Sequence, residues 1–318
     1  MGTYVVTGGA SGIGAQVVRD LTGRGDRVLI WDIQSPGFDT PASHERVDLS
    51  APGSVARAAA QMAEPVQGFV HCAGIAGATS VGHANLAEQM RVAYEVHVVA
   101  FVSAVQSLLP RLIAGGGAVV AIASAAMDVI YPGTLAYGAS KAALRRVIEQ
   151  LAVEIGARGI RVNGVAPGAV HTPMSASAWA DEAYANERKR YIPLGRQSEP
   201  SAISGAVLYL LSEKAEYVTG EVLWVDGGVR HGCSTGRWNT SRARRADRSI
   251  EEHCSEQATT RTTILRSVSK RGSGRRVQNL HARRIRIDRA PGSSTRRCVP
   301  RLGRGHQSRQ HLRRDLGR

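Results

Sequence analysis

Six short apolar runs punctuate the first 228 residues: T-Y-V-V-T (3–7), R-V-L-I-W (27–31), G-F-V-H (68–71), A-V-V-A-I-A (118–123), I-R-V-N-G-V (160–165) and E-V-L-W-V (221–225). Between most of them lie longer stretches, 13–23, 53–63, 86–113, 137–157 and 200–212, whose apolar positions recur with helical spacing. Strands alternating with helices predict βαβ units and a parallel sheet. A run such as A-V-V-A-I, apolar at every position, fits a strand buried on both faces. The pattern predicts an α/β fold: a doubly wound parallel sheet, a Rossmann-type three-layer αβα sandwich, forming a single domain over about 1–228.

The pattern stops there. Residues 229–318 hold only 13 Leu, Ile, Val and Phe among 90, and carry 24 of the chain's 41 Lys and Arg but 6 of its 26 Asp and Glu. The formal charge of +15 thus divides into a mildly acidic body at −3 and a tail at +18. The tail has too little apolar surface to bury a core, so a disordered basic extension is expected. Its runs, such as R-R-I-R-I-D-R, suit phosphate neutralisation but lack the interleaved aromatic residues that stack bases. Arg supplies 23 of its 24 cations, against Lys270 alone. That composition, beginning abruptly after V-D-G-G, is what a shifted reading frame in GC-rich DNA would give. Nucleic-acid binding is therefore not the favoured role.

Cysteine usage splits the same way: Cys72 in the body, Cys233, Cys254 and Cys298 in the tail, with no C-x-x-C pair. Neither a zinc knuckle nor a disulfide framework is suggested, so no metal is expected and a reducing, cytoplasmic setting is. The chain enters an apolar strand at Thr3 without a basic segment and apolar stretch resembling a signal peptide. No apolar run long enough to span a bilayer is expected.

T-G-G-A-S-G-I-G (Thr7–Gly14) follows the first predicted strand and opens the first helix. Gly8, Gly12 and Gly14 allow a tight turn and a close ligand approach, and the N–H groups of Ser11, Gly12 and Ile13 at the helix start suit a pyrophosphate. Asp32 ends the second run, placed either to cap the turn that follows or to accept from both hydroxyls of an adenosine ribose and repel a 2′-phosphate. Residues 9–11, Ile33 and Gln34 bring no cation to receive that phosphate. NAD is expected over NADP.

In A-Y-G-A-S-K (136–141), Tyr137 and Lys141 lie one helical turn apart on one face. They form either a surface Tyr stacked on a Lys stem or a catalytic pair. For the second reading, a cation about 5 Å from the phenol at an effective dielectric near ~20 favours the phenolate by roughly 3 kcal/mol. That pulls Tyr137 down from its ordinary value near ~10.

The glycine pattern, Ser124 thirteen residues before Y-x-x-x-K, and P-G-x-x-x-T (167–172) together resemble the short-chain dehydrogenase/reductase family over essentially all of 1–228 and none of the tail. Asp48-Leu49, Ala73-Gly74, Asn163 and Val225-Asp226-Gly227-Gly228 extend the match. The resemblance implies an NAD(P)-dependent alcohol dehydrogenase or ketoreductase. In it Tyr137 is the general acid/base, Ser124 binds the substrate oxygen, and Lys141 binds the nicotinamide ribose and lowers the Tyr pKa. Asp48 would meet the adenine, Ala73 and Gly74 would let the coenzyme pass, Thr172 with the Val170 backbone would hold the carboxamide, and Leu49 and Pro167 would also line the coenzyme.

Two sites depart from the family pattern. His71-Cys72 replaces an Asn pair that ties neighbouring backbone together, which puts some stability in doubt; Cys72 reads as a small core residue. His97 stands where the family carries an Asn thought to hold a relay water. Imidazole can donate and accept, so His97 either preserves the relay, blocks its water, adds a proton that titrates near neutral pH, or is a packed histidine.

The expected substrate is a secondary alcohol or its ketone. Ala125, Met127, Val129 and Tyr131 are candidate walls, and 173–196, with Trp179 and Tyr184, a candidate lid. The resemblance also implies a homodimer or homotetramer built on the 86–113 and 137–157 helices. Alternatives are a catalytically weakened dinucleotide-binding protein, and nucleic-acid association through the tail.

Overall fold

A computed structural model describes residues 1–77 and 79–232. The predicted basic tail beyond Gly232 lies outside the described residues. Seven strands form one parallel sheet: β1 (Thr3–Thr7), β2 (Arg27–Asp32), β3 (Ser43–Arg46), β4 (Gly68–His71), β5 (Ala118–Ile122), β6 (Arg161–Pro167) and β7 (Val222–Val225), in the order β3-β2-β1-β4-β5-β6-β7. Six are the predicted runs. β3 was missed because S-H-E-R has no apolar alternation; it is an edge strand held by backbone pairing to β2, Leu29 opposite Ser43 and Asp32 opposite Arg46.

Alternate strand residues feed two cores, because successive side chains leave a strand on opposite faces. On one face Val5, Trp31, Phe69, Val119 and Val162 pack with helices α2 (Ser54–Ala60), α4 (Ala100–Gly115) and α5 (Leu135–Gly156) through Phe101, Leu108, Leu112, Leu144 and Ile148. On the other, Val6, Ile30, Val70, Val120 and Val165 pack with α1 (Gly12–Gly23) and α8 (Pro200–Leu211) through Val17, Leu21, Ile203 and Val207. Each such side chain contributes roughly 1.5–3 kcal/mol of burial, which fixes both the sandwich and the strand register.

The long predicted helix 86–113 is not one regular helix. α3 (Leu86–Tyr94) runs into a π-helical turn, Glu95–Val99, before α4. The Ala100 amide reaches back five residues to the Glu95 carbonyl, so it does not use the Val96 carbonyl. Such single-turn insertions concentrate at functional sites. The whole rod, Leu86–Gly115, is long and apolar enough to cross a membrane, contrary to the sequence expectation; here one side of α4 packs on the sheet, burying Phe101, Ala104, Leu108 and Leu112.

Two short helices, α6 (Ala176–Trp179) and α7 (Glu182–Lys189), occupy the predicted lid. The body also runs past residue 228. α9 (Val229–Gly232) buries Val229 against Val129 and Ile192.

Candidate active site

The strand order reverses between β1 and β4, and the carboxyl ends of the strands at such a switch point are the usual ligand position. The Gly8–Gly14 loop follows β1 at that point. Gly8 has φ +66° and a Cβ on it would lie 2.6 Å from the Ala73 nitrogen; a Cβ on Gly14 would lie 2.1 Å from the Gly8 carbonyl oxygen. Gly12, at φ +55°, sits with Thr172 3.5 Å from its absent Cβ, so the loops after β1 and β6 meet there. Ser11 precedes α1 in extended conformation, its side chain making no capping bond, and no acidic residue occupies the first turn. The helix-start N–H groups are thereby left for an anion. Ile13 packs partly buried against the α1/α8 core and anchors the turn.

Asp32 ties this loop to the end of β2. Its Oδ2 accepts from the Ala10 amide at 3.0 Å and its Oδ1 from the Gln34 amide at 3.0 Å. Asp48 is exposed, and its Oδ1 accepts from the Ser50 amide at 2.9 Å and hydroxyl at 2.6 Å; Leu49 beside it is buried. Beyond β6, Pro167 ends the strand, and a Cβ on Gly168 would lie 2.7 Å from the Asp226 carbonyl oxygen. Ser175 Oγ donates to the Val170 carbonyl at 2.6 Å and accepts from the Thr172 amide at 3.1 Å, fixing that turn. The glycine cradle, the backbone donors and the Asp32 carboxylate at the end of β2 fit a dinucleotide.

The candidate chemistry lies next to the cradle. Ser124 caps the turn Ala125–Met127, its Oγ accepting from the Ala126 amide at 3.1 Å. Its own proton is left to donate to the Tyr137 oxygen, and that bond favours the phenolate. Lys141 is buried, 3% exposed, and donates from Nζ to the Ile122 carbonyl at 2.8 Å. It lies 5.7 Å from the Tyr137 ring centroid. Gly74 completes the group: a Cβ there would lie 3.2 Å from His97 Nε2 and 3.8 Å from Lys141 Nζ.

The direction of the Tyr137 shift opposes the sequence expectation. Burial pushes the phenol above its ordinary range and outweighs the Ser124 hydrogen bond. Only a full charge on Lys141, with the phenolate still solvated, would pull the phenol down. Burial instead lowers Lys141 to about 7, so the cation is only partly charged at neutral pH.

The replaced Asn pair leaves no gap. His71 is fully buried, its Nδ1 2.9 Å from Thr7 Oγ1 and its Nε2 3.2 Å from the Val96 carbonyl oxygen. It joins β4 to β1 and to the π-helical turn. His97 is also fully buried, with Nε2 2.9 Å from the Ile75 amide and Nδ1 2.8 Å from Ser140 Oγ. Burial holds His71 down at about 3 and His97 at about 2, with Lys141 pushing both the same way. Sequence reasoning missed the parts played by His71, Thr7 and Ser140. The one available signal was a histidine ending a strand whose other positions are apolar. Cys72 is partly buried against the core, its thiol pushed up to about 12, as a packing residue should be.

The predicted substrate walls separate. Ala125 is buried and Met127 packs with Ala123, Ala166 and Trp224, in a cluster apart from the other two. Val129 and Tyr131 do meet the lid, clustering with Ile192, Trp179 and Ala169. The Arg188 guanidinium lies 5.1 Å from the Trp179 ring centroid and 5.9 Å from that of Tyr131. The Tyr184 side chain lies outside what is described.

A family model for enoyl-(acyl carrier protein) reductases matches residues 8–230. An uncharacterized short-chain type dehydrogenase/reductase of Sinorhizobium fredii is 36% identical over 236 residues, 70% of this chain and 43% of that relative. The 2-(R)-hydroxypropyl-CoM dehydrogenase of Xanthobacter autotrophicus is 31% identical over 240 residues, 70% of this chain and 96% of that enzyme. Among solved structures, a Beutenbergia cavernae dehydrogenase with bound NADP shares 32% identity at a TM-score of 0.66, over 71% of this chain and 96% of that one. A 4-hydroxyisoleucine dehydrogenase complexed with NADH shares 26% identity at a TM-score of 0.67, over 72% and 98%.

Proposed function

The chain belongs to the short-chain dehydrogenase/reductase family, and from that premise we propose that it interconverts a secondary alcohol and its ketone, with NAD as preferred coenzyme and Tyr137 as general acid/base. The observation that carries this reading is the meeting of Ser124, Tyr137 and Lys141 beside the glycine cradle. Bound coenzyme supplies or accepts the hydride. Gly8, Gly12 and Gly14 with the α1 amides hold its phosphates, Asp32 and Asp48 its adenosine, Ala73 and Gly74 its middle, and Pro167, Val170 and Thr172 its carboxamide.

Ser124 donates to the substrate oxygen and orients it. Tyr137 gives that oxygen a proton during reduction and takes it during oxidation. A phenol whose pKa is raised is already in the form reduction needs. Oxidation needs the phenolate, so its rate should climb with pH into the alkaline range. Lys141 orients the ribose and, when charged, favours the phenolate. Val129, Tyr131, Trp179 and Ile192 form an apolar wall and lid that exclude water.

NAD preference rests on Asp32, a carboxylate at the end of β2 tied to the glycine loop through the Ala10 amide, with no cation in residues 9–11. Reduced-nicotinamide absorbance over a panel of secondary alcohols, with NAD and with NADP, tests both claims. We expect turnover with at least ~10-fold higher kcat/KM for NAD, as one repelled phosphate implies. Coenzyme binding without turnover would instead support the weakened binding protein, and an NADP preference would overturn the role of Asp32. Exposed Val99 in the π-helical turn and Val102 and Ile113 on α4, with Val153 on α5, further support pairing of two copies across these helices. Sedimentation of the full chain should give at least a dimer; a monomer would refute it.

A further inference from the structure

His71 and His97 stand within reach of the proposed chemistry, yet neither ring has a nitrogen to spare. A backbone carbonyl can only accept, so His71 Nε2 carries the hydrogen and donates to Val96 at 3.2 Å. Its Nδ1 is then bare and accepts from the Thr7 hydroxyl at 2.9 Å, and Thr7 Oγ1 in turn accepts from the Ala73 amide at 3.4 Å. A backbone N–H can only donate, so His97 Nε2 is bare and accepts from Ile75 at 2.9 Å. Its hydrogen must sit on Nδ1, donated to Ser140 Oγ at 2.8 Å, while the Ser140 hydroxyl donates to the Tyr137 carbonyl at 2.8 Å. His97 is therefore neutral with its hydrogen on Nδ1, and His71, kept neutral by complete burial beside Lys141, carries its hydrogen on Nε2, the opposite tautomer.

We propose that His71 and His97 are positioning residues, a pair of neutral clamps fastening the 73–75 segment to β1 on one side and to the Tyr137 turn of α5 on the other, and that no proton passes through residue 97. A relay needs a nitrogen that collects a proton and a neighbour that hands it on. At His97 the bare nitrogen is filled by a backbone amide, and the hydrogen-bond chain on the other side ends at a backbone carbonyl, which has no proton to release. Protonating His97 would aim a second N–H at the Ile75 amide. It would also place a charge near Lys141 and His71, the two titratable groups that act on it, beside the Tyr137 ring edge-on at 5.6 Å. The π-helical turn makes the arrangement possible: it leaves the Val96 carbonyl unclaimed by Ala100 and sets His97 facing Gly74, where a Cβ would come within 3.2 Å of Nε2.

The functional part of this inference rests on the dehydrogenase reading, whereas the tautomers do not, so the test reads them separately. Nitrogen-15 NMR of histidine-labelled full chain, assigned with His71→Asn and His97→Asn, should show one Nε2–H and one Nδ1–H imidazole. Both should stay neutral between about pH 5 and 8, where an ordinary histidine titrates. Either ring titrating in that window, or both in one tautomer, overturns the proposal whatever the enzyme does. In kinetics, His97→Ala should lower kcat and raise the coenzyme KM by about tenfold, as misplacement near the reacting groups does. His97→Asn, which keeps one acceptor and one donor, should restore most of the loss. The pH at half-maximal activity should be unchanged in His97→Asn; a limb of the profile that moves or vanishes would make residue 97 a proton carrier.

Discussion

In the Gly8–Gly14 loop the site is made by what the side chains leave out; around Tyr137 it is made by what they reach. The loop needs bare Cα atoms because backbone approaches backbone: Gly14 faces the Gly8 carbonyl, and Gly8 faces Ala73. Its donors are main-chain N–H groups aimed by a helix start. The other half gathers Ser124, Tyr137, Lys141, His97 and His71 from β4, the turn after β5, the π-helical turn and α5, and ties Lys141, His97 and His71 by hydrogen bonds to neighbouring backbone and hydroxyl groups. A backbone site tolerates varied neighbours but no added atom. A side-chain cluster tolerates modest changes of shape but is sensitive to the protonation of each member.

Exchanging the two kinds of damage gives the largest expected effects. Tyr137→Phe removes one oxygen and should lower turnover by at least ~10²-fold, with coenzyme affinity, read by quenching of protein fluorescence, essentially unchanged. Gly14→Ala adds one carbon where 2.1 Å separates it from the Gly8 oxygen, and the backbone must move. Overpacking costs about 1–3 kcal/mol, so coenzyme affinity should fall about ten- to hundredfold with Tyr137 still in place. Normal turnover in Tyr137→Phe would remove the general acid/base. Normal binding in Gly14→Ala would mean that the loop relaxes without consequence and is not the rigid cradle described.

The same contrast decides what could be read along the chain. The glycine loop is local: strand, Gly8, Gly12, Gly14 and helix follow one another, so a single stretch of sequence carries the geometry. Tyr137 and Lys141 were legible because helical spacing converts four residues into one face. The hydrophobic pattern gave six strands and the principal helices because burial on both sheet faces leaves continuous apolar runs. β3 escaped since an edge strand with S-H-E-R pairs through its backbone alone. The π-helical turn escaped since an inserted residue does not change composition. Residues joined only by the fold could not be paired in advance: Thr7 with His71 across 64 positions, or His97 with Ser140 across 43. The direction of the Tyr137 shift failed for a related reason, since desolvation depends on everything that closes over the phenol.

The smallest effect sharpens the comparison through stability, because only the side-chain half should make the fold sensitive to acid at histidine. Folded His71 and His97 titrate at about 3 and about 2, below the ordinary 6.5. Between those values the unfolded chain holds protons that the folded chain lacks, so stability is present above about pH 6.5 and is lost as pH falls towards 3. Each such proton contributes a slope of about 1.4 kcal/mol per pH unit. Lys141, lowered from 10.5 to about 7, acts over a separate window, where stability rises with pH. Urea unfolding at several values between about pH 4.5 and 6, in the window of histidine titration, should show the wild-type slope exceeding that of His71→Asn by close to one proton. The carboxylates contribute nearly equally to both and cancel in the difference. Parallel slopes would mean that His71 takes up its proton in the folded state, which its complete burial beside Lys141 opposes unless the junction of β1, β4 and the π-helical turn opens.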